Sequence, residues 1–166
     1  TSMRVADDDR SVALSTKTIA RRGAILYKAC EEAYQELKRT NPEETRPVFI
    51  IGSEVPIPGG AQEAEDSISV TEPAAVEETL HVYREEFEAF GLGDAFENII
   101  GIVVQPGVEF GDSDVFAYDR VKADALVQAM KAHEGIVMEG HSTDYQSPEA
   151  LREMVEDGIA ILKVGP

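Results

Sequence analysis

The chain of 166 residues contains no tryptophan, a single cysteine and few basic residues. One cysteine cannot form an internal disulfide, which is typical of proteins that fold in a reducing compartment. There is no apolar run of about 18 residues, so the sequence predicts no membrane helix. The first ten residues also lack the apolar segment of a secretory signal. We therefore expect a cytoplasmic protein.

Positive charge is also scarce: 32 acidic residues face 15 basic ones, and the formal net charge is −17. Such a chain repels phosphate backbones and anionic lipid surfaces, so we expect neither nucleic acid nor membrane as a partner. The simplest interpretation of the excess acid is a solvated helical surface. Apolar residues make up 43 % of the chain, enough for one domain with a substantial core.

Four short segments rich in β-branched residues predict buried strands: residues 47–52, 99–104, 135–139 and 158–164. Most of them are continuously apolar, which is typical of parallel strands covered on both faces. Helical patterns lie between them, from residue 15 or 16 to about 39, from about 72 to 90, from about 119 to 133, and from 148 to about 156. The alternation predicts an α/β fold with a parallel sheet.

The first helical pattern carries an apolar stripe that we expect to face the core. We interpret its cysteine as a small buried apolar residue rather than a nucleophile. The positions of the predicted stripe are Ile19, Ala24, Ile25, Cys30, Ala33, Tyr34 and Leu37.

The long connecting segments all follow strands, at residues 53–70, 105–118 and 140–146. This asymmetry points to the carboxyl ends of the strands as the working face, as in a (β/α)8 barrel or a doubly wound sheet. No glycine-rich phosphate-binding signature follows any strand, so the sequence offers no sign of a nucleotide cofactor.

Polar side chains cluster after these strands. In a parallel sheet the strand ends lie side by side, so these residues would converge: Glu54, Gln105, Glu139, His141, Asp144 and Lys163. His141 offers a metal ligand or a general base near neutral pH. Glu54 with His141 would suit zinc, although two ligands do not complete a site. The ammonium of Lys163 suits a phosphate or a sugar oxygen.

A structural interpretation stands beside the functional one. On that interpretation His141 hydrogen-bonds a neighbouring loop, Glu54 and Lys163 form an ion pair, and Asp144 caps its own loop. Tyr145 and Phe110 either line a pocket or pack against the following helix. The two remaining histidines fall on helical patterns, where we expect surface positions: His81 and His133.

Four motifs are more specific: residues 51–60, 103–110, 141–146 and 160–166. In this order and spacing they resemble the family of the non-catalytic subunit of class II D-tagatose-1,6-bisphosphate aldolase, which also carries the label tagatose-6-phosphate kinase. The resemblance covers essentially the whole chain. It implies a TIM barrel related to the zinc-dependent class II aldolases. Residues 1–166 would form part of that single barrel domain, with about the last four βα units, strands five to eight, of a longer protein.

The resemblance also assigns roles. In the catalytic relatives a glutamate after strand five and a histidine after strand seven help to hold the metal, and Glu54 and His141 occupy these positions. The last-strand histidine of those relatives has no counterpart, because residues 163–166 read Lys-Val-Gly-Pro instead. This departure argues against aldolase chemistry. The absence of a phosphate-cradling loop leaves the kinase label without support from the residues.

The favoured function is therefore a stabilising, non-catalytic subunit in tagatose or galactitol catabolism. Its partner would be a catalytic class II aldolase subunit, and a homo-oligomer is a further expectation. The alternative is a metal-dependent ketohexose or ketohexose-phosphate 4-epimerase, or an aldolase-like enzyme. In that enzyme Glu54 and His141 would hold Zn²⁺ or another divalent metal, Asp144 or Glu139 would be the base, and Lys163 would neutralise an enolate or bind phosphate. The residues expected to bind the sugar or sugar phosphate are Ser53, Gln105, Ser142 and Lys163.

Overall fold

The structure is a computed structural model that describes residues 4–9, 11–53, 68–111 and 114–165. Its longer elements alternate between helix and strand, as the sequence predicts. Among the described residues, no helix combines the length and the apolar character needed to cross a bilayer. The elements are α1 Thr16–Thr40, β1 Phe49–Ile51, α2 Pro73–Ala89, a 3-10 helix Gly93–Asn98, β2 Ile99–Val104, β3 Glu109–Phe110, β4 Val115–Phe116, α3 Arg120–Met130, β5 Val137–Gly140, α4 Pro148–Glu156 and β6 Ile159–Leu162.

The strands form one sheet of four strands in the order β1-β2-β5-β6 and one hairpin of two strands, β3-β4. β2 pairs with β5 in parallel, and β5 pairs with β6 in parallel. The prediction of an α/β fold with a parallel sheet is confirmed, while closure into a barrel stays a prediction. The antiparallel hairpin was not predicted, because it sits inside the segment interpreted as the loop after β2.

Three of the helices begin at a residue whose side chain caps the first turn. The side-chain oxygen of Ser15 accepts the backbone N–H of Thr18, and that of Ser147 accepts the N–H of Ala150. Asp119 accepts two N–H groups at the start of α3. Each such cap satisfies donors that the helix itself leaves unpaired, and is worth about 1 kcal/mol.

Two compact units make up the chain: residues 1–53 with 78–100, and residues 54–77 with 101–166. In the first unit, aromatic rings form the centre of the core. The ring of Tyr27 lies 4.8 Å from that of Phe49 and 5.4 Å from that of Phe87, measured between centroids. The hydroxyl of Tyr83 donates to the carbonyl of Gly52 at 2.9 Å. This bond fixes the end of β1 against α2 within the unit.

The predicted stripe of α1 is only partly correct. Its buried residues are Ile19, Ala20, Ala24, Tyr27 and Tyr34. Ile25 and Leu37 are 49 % and 48 % exposed, and Cys30 and Ala33 are exposed as well. Successive helical residues are rotated by about 100°, so a narrow buried face through Ala20, Ala24 and Tyr27 leaves their neighbours outside. The prediction that Cys30 is buried is therefore wrong.

In the second unit, the core lies between the sheet and the helices α3 and α4. Its largest fully buried side chains include Ile102, Leu126, Met138, Met154 and Ile159. β5 alternates between half-buried and buried residues, with Val137 and Glu139 on the half-buried face. The burial of β5 on alternate sides therefore places Glu139 away from the buried face of the sheet.

Candidate functional site

The register of the sheet brings three predicted site residues to one level. Val104 of β2 is aligned with Gly140 of β5, and Gly140 is aligned with Leu162 of β6. The next residue after each is Gln105, His141 and Lys163. Neighbouring strands are about 4.8 Å apart, so these three positions lie side by side. We call Gln105, Glu139, His141 and Lys163 the strand-tip edge.

Gly140 allows this edge to be compact. A Cβ atom at Gly140 would lie 2.9 Å from Cγ2 of Ile159, 3.3 Å from Cγ2 of Thr143 and 3.4 Å from Cγ of Pro106. The branched side chain of Ile159 is buried and cannot withdraw easily. Glycine is therefore required here for close approach, and the chain can turn directly from β5 into the polar segment.

His141 is the most buried ionisable residue of the edge, with 6 % of its surface exposed. Its backbone N–H donates to the carbonyl of Val104 at 3.4 Å, which continues the contact between β5 and β2. Burial, and secondarily the positive charge of Lys163, lowers the pKa of His141 to about 4. The ring is thus a neutral imidazole at neutral pH. No hydrogen bond to the imidazole is formed from the described part of the chain.

Glu139 lies in β5 between two aliphatic neighbours. It is aligned with Val103 of β2 and Ile161 of β6, and cross-strand partners point to the same face. Its carboxylate is half-buried and takes no hydrogen bond or ion pair from the residues that the structure describes. Both oxygens are therefore open to an incoming ligand.

Lys163 follows β6 and is exposed. Its N–H donates to the carbonyl of Gly140 at 3.1 Å. Its own carbonyl accepts two hydrogen bonds from Thr143, from the N–H at 3.2 Å and from Oγ1 at 2.9 Å. The backbone of Lys163 is fixed, while its ammonium projects to the surface.

The loop after β5 adopts an unusual backbone. Ser142 and Tyr145 have φ angles of 52° and 59°, in the left-handed region. For residues other than glycine this conformation costs about 1–2 kcal/mol each. Oδ1 of Asp144 accepts the N–H of Gly165 at 2.7 Å. Asp144 thus binds the backbone after β6 and not that of its own loop, and its second oxygen takes no hydrogen bond from the described residues.

Gln105 also has a structural task that the sequence did not reveal. Its Oε1 accepts the N–H groups of Gly107 and Val108 at 2.8 and 3.0 Å. Its backbone N–H donates to Oγ1 of Thr71 at 2.8 Å. The side-chain carbonyl therefore closes its own loop, and what Gln105 can offer a substrate is its Nε2 group.

Gln146 was missed by sequence reasoning altogether. Its buried amide accepts the N–H of Tyr118 at 3.0 Å and donates to the carbonyl of Phe116 at 2.9 Å. These bonds replace a strand partner for the end of β4. The ring of Tyr145 meets that of Phe110 edge to face at 5.4 Å. These contacts join the β3-β4 hairpin to the loop after β5. In the sequence, the only sign of this connection is that residue 146 is polar.

Two predicted residues lie apart from this description. Ser53 belongs to the first compact unit, where its Oγ shares a hydrogen bond with Oγ1 of Thr79 at 2.7 Å. Glu54 lies outside the described residues.

Of the two predicted metal ligands, Glu54 and His141, the structure describes His141. The neutral, buried imidazole of His141 has the chemistry that zinc and similar ions require. Within residues 4–9, 11–53, 68–111 and 114–165, however, no group of three or more histidine, cysteine, aspartate and glutamate side chains is arranged to hold a metal. A catalytic zinc takes about three protein ligands, so His141 fits as one member of a set and not as the set itself.

Comparison with known proteins gives the family. Residues 1–166 match the model of the "D-tagatose-1,6-bisphosphate aldolase subunit GatZ/KbaZ-like" family. The chain is 46 % identical over 154 residues to the D-tagatose 6-phosphate 4-epimerase of Agrobacterium fabrum (strain C58 / ATCC 33970). That match covers 93 % of this chain and 35 % of the relative.

The chain is also similar to a protein of known structure. The crystal structure of a "probable tagatose 6 phosphate kinase" from Sinorhizobium meliloti 1021 matches with a TM-score of 0.79 at 44 % identity, over 100 % of this chain and 36 % of that one. The chain thus spans about a third of the length of both proteins. On the strength of the match along its whole length, the chain belongs to the GatZ/KbaZ-like family of D-tagatose-1,6-bisphosphate aldolase subunits.

Proposed function

We propose that the protein to which this chain belongs is a 4-epimerase that interconverts D-tagatose 6-phosphate and D-fructose 6-phosphate. The observation that carries the proposal is the unpaired chemistry of the strand-tip edge. A neutral imidazole, a free carboxylate and an exposed ammonium share one end of two adjacent parallel strands. These three groups take no hydrogen bond or ion pair from the described side chains, so they are not used to hold the described part of the fold together. The Agrobacterium fabrum relative supports the choice of substrate.

The proposed reaction inverts C4 by breaking and remaking one carbon–carbon bond. A base removes the proton of the C4 hydroxyl, the C3–C4 bond breaks, and its electron pair passes to the C2 carbonyl as an enediolate. The C4 fragment becomes an aldehyde, turns its other face to C3, and is attacked again. The base then returns the proton to the C4 oxygen, so atoms and charge balance.

We assign the base to Glu139 rather than to Asp144. Both oxygens of Glu139 are open within the described structure, whereas Oδ1 of Asp144 already accepts the N–H of Gly165. A general base needs an accessible lone pair within hydrogen-bond reach of the proton that it takes. Asp144 is then the second choice, acting through Oδ2.

The remaining groups bind and orient the sugar. Lys163 would supply positive charge for the phosphate or for the developing enediolate. Nε2 of Gln105 and the hydroxyl of Ser142 would bind sugar oxygens. His141 and Glu54 would hold a divalent metal, which when bound supplies Lewis-acid polarisation of a carbonyl.

The test is an assay of the full-length protein, supplied with zinc or another divalent metal and no partner chain. Nuclear magnetic resonance would follow the conversion of D-fructose 6-phosphate to D-tagatose 6-phosphate. We expect turnover in the wild type and a loss of about 100-fold or more in Glu139→Gln, the range for removing a general base.

The matched control is Glu134→Gln, a charge removal at an exposed residue just before β5. It should retain wild-type turnover. Failure of the metal-loaded wild type to convert either sugar phosphate would sink the proposal. Equal activity of Glu139→Gln and the wild type would remove Glu139 from it.

The second candidate is the stabilising, non-catalytic subunit, and the description of the family favours it. On this hypothesis a separate catalytic aldolase chain is the partner. Adding the full-length protein to that chain would raise or prolong its activity. The variant Glu139→Gln would support the aldolase as well as the wild type does, which separates the two candidates.

A further inference from the structure

Thr143 lies in the loop after β5 and binds the segment that follows β6. It is 1 % exposed, the lowest value in the loop after β5. Both of its hydrogen-bond donors are directed to one atom, the carbonyl oxygen of Lys163, from N at 3.2 Å and from Oγ1 at 2.9 Å. A buried hydroxyl needs a partner, and here that partner is the backbone of a proposed substrate-binding residue.

The sheet alone does not fix this backbone. β6 ends at Leu162, and the N–H of Lys163 makes one further bond, to Gly140. Beyond that point the bonds come from the loop after β5: Thr143 binds the carbonyl of Lys163, and Asp144 binds the N–H of Gly165. The direction in which the chain leaves β6, and therefore the base of the Lys163 side chain, depends on Thr143.

We propose that Thr143 is a positioning residue that sets the site's affinity for the phosphorylated end of the sugar by fixing the backbone from which the Lys163 ammonium projects. This inference rests on the proposed epimerase function. A lysine on a fixed backbone loses less side-chain freedom on binding an anion than one on a loose segment, so the hydroxyl of Thr143 contributes to binding without touching the ligand.

The experiment uses five full-length proteins: the wild type, Thr143→Val, Thr143→Ser, Lys163→Met and the double variant Thr143→Val/Lys163→Met. Thr143→Val keeps the shape and removes the hydroxyl, and Thr143→Ser restores the hydroxyl as the matched control. We expect Thr143→Val to raise KM for D-tagatose 6-phosphate about tenfold, the effect of about one hydrogen bond. We expect kcat to stay within about twofold, since the reacting groups are untouched. Thr143→Ser should restore the wild-type KM.

The double variant Thr143→Val/Lys163→Met separates positioning from general damage. If Thr143 acts through the ammonium, Thr143→Val adds less than about twofold to KM once Lys163 is methionine. A full tenfold rise in that background would overturn the proposal. So would a Thr143→Ser protein that behaves like Thr143→Val, or a loss that falls on kcat alone.

If the epimerase proposal fails, the inference can still be tested by measuring the affinity for the sugar phosphate. Should no protein turn over sugar phosphate, calorimetric titration with D-tagatose 6-phosphate replaces KM in the same comparison. A wild type that does not bind this ligand, or a Thr143→Val protein that binds equally well, overturns the inference. The unfolding free energy of each protein is measured first, and Thr143→Ala replaces Thr143→Val if the latter does not fold.

Discussion

The second compact unit contains two polar clusters that are built in opposite ways. One is the strand-tip edge; the other, at the start of α3 and the end of α4, consists of Tyr118, Arg120 and Asp157. In the latter cluster the hydroxyl of Tyr118 and Nε of Arg120 both donate to Oδ2 of Asp157 at 2.9 Å. Arg120 also binds Oδ1 of Asp157 and Oε2 of Glu156. Every charged group there has a partner.

The ionisation of the two clusters differs accordingly. Burial alone would raise the pKa of Asp157, but the hydrogen bonds from Arg120 and Tyr118 outweigh burial and lower it. Burial and the bond to Asp157 raise the pKa of Tyr118. At the strand-tip edge burial acts on His141 without a compensating partner and removes its charge. The paired cluster thus keeps its charge through its hydrogen bonds, whereas His141 at the strand-tip edge is neutral at neutral pH.

The largest expected effect is on activity, at the unpaired cluster. His141→Ala should reduce kcat/KM for D-fructose 6-phosphate by about 100-fold or more, because it removes a proposed metal ligand or acid–base group. Because the ring is buried, its truncation also removes packing, so the unfolding free energy of each variant is measured first and activity is compared per folded protein. The matched control is His81→Ala, an exposed histidine on α2 that pairs with Glu85. Comparable activity of the two variants would contradict the comparison.

The next effect is on stability, at the paired cluster. Asp157→Ala should lower the unfolding free energy by about 2–3 kcal/mol, because it leaves the hydroxyl of Tyr118 and the guanidinium of Arg120 without their acceptor. Urea unfolding would measure the loss, and kcat of the folded fraction should not change. Asp124→Ala on α3, whose carboxylate binds Gln128, serves as the control and should cost about 0.5 kcal/mol or less.

The two clusters should also differ in the pH range over which their contribution to folding stability is lost. The pKa of His141 is about 4 in the fold, below the unfolded value of about 6.5, so unfolding takes up a proton and stability is lost as pH falls from about 6.5 toward 4. The pKa of Asp157 is also lowered by folding. Its contribution is therefore present above its unfolded value of about 3.9 and is lost only at more acidic pH.

Urea unfolding of metal-free wild type, His141→Gln and Asp157→Asn between pH 8 and about 2.5 would check these two windows. We expect the wild type to lose stability relative to His141→Gln from about pH 6.5 downward, because only the wild type carries the imidazole whose pKa is lowered by folding. The difference between the wild type and Asp157→Asn should persist to about pH 4 and shrink below it. Identical windows for the two variants would refute the assignment.

The smallest expected effect concerns Gln105. Its Oε1 is hydrogen-bonded within the loop, whereas its Nε2 is proposed to bind the sugar. Gln105→Leu removes the acceptor of two loop N–H groups and should cost about 1–2 kcal/mol of stability. Gln105→Glu keeps that acceptor and should cost less than about 0.5 kcal/mol, while it loses the Nε2 donor proposed for the sugar. Equal unfolding free energies of the two variants would show that the loop bonds contribute nothing.

The sequence predicted the larger elements well, because their signals are periodic and local. β2 and α4 lie where expected, at Ile99–Val104 and Pro148–Glu156. The hairpin of β3 and β4 was not predicted, since its strands of two residues each carry no period. The exposed half of the α1 stripe was wrong because composition does not tell which apolar residues find a partner.

The sequence predicted that the candidate residues lie together at the ends of the strands, but it did not predict the hydrogen bonds that they make. Alternation of helices and strands places Gln105, His141 and Lys163 together once the strands are parallel. What each polar group binds depends on loop geometry, which no pattern records. The hydrogen bonds made by the side chains of Gln105, Thr143 and Gln146 are of this kind: each holds a loop backbone in place.

The loop after β5 is tethered at several of its residues, by Thr143 to Lys163, by Asp144 to Gly165 and by Gln146 to the end of β4. A segment held in this way has little room to swing like a flap. On the proposed function, a ligand would meet this loop already in its final conformation. The conformational entropy of ordering the loop would then be lost once, during folding, and not again at each binding event.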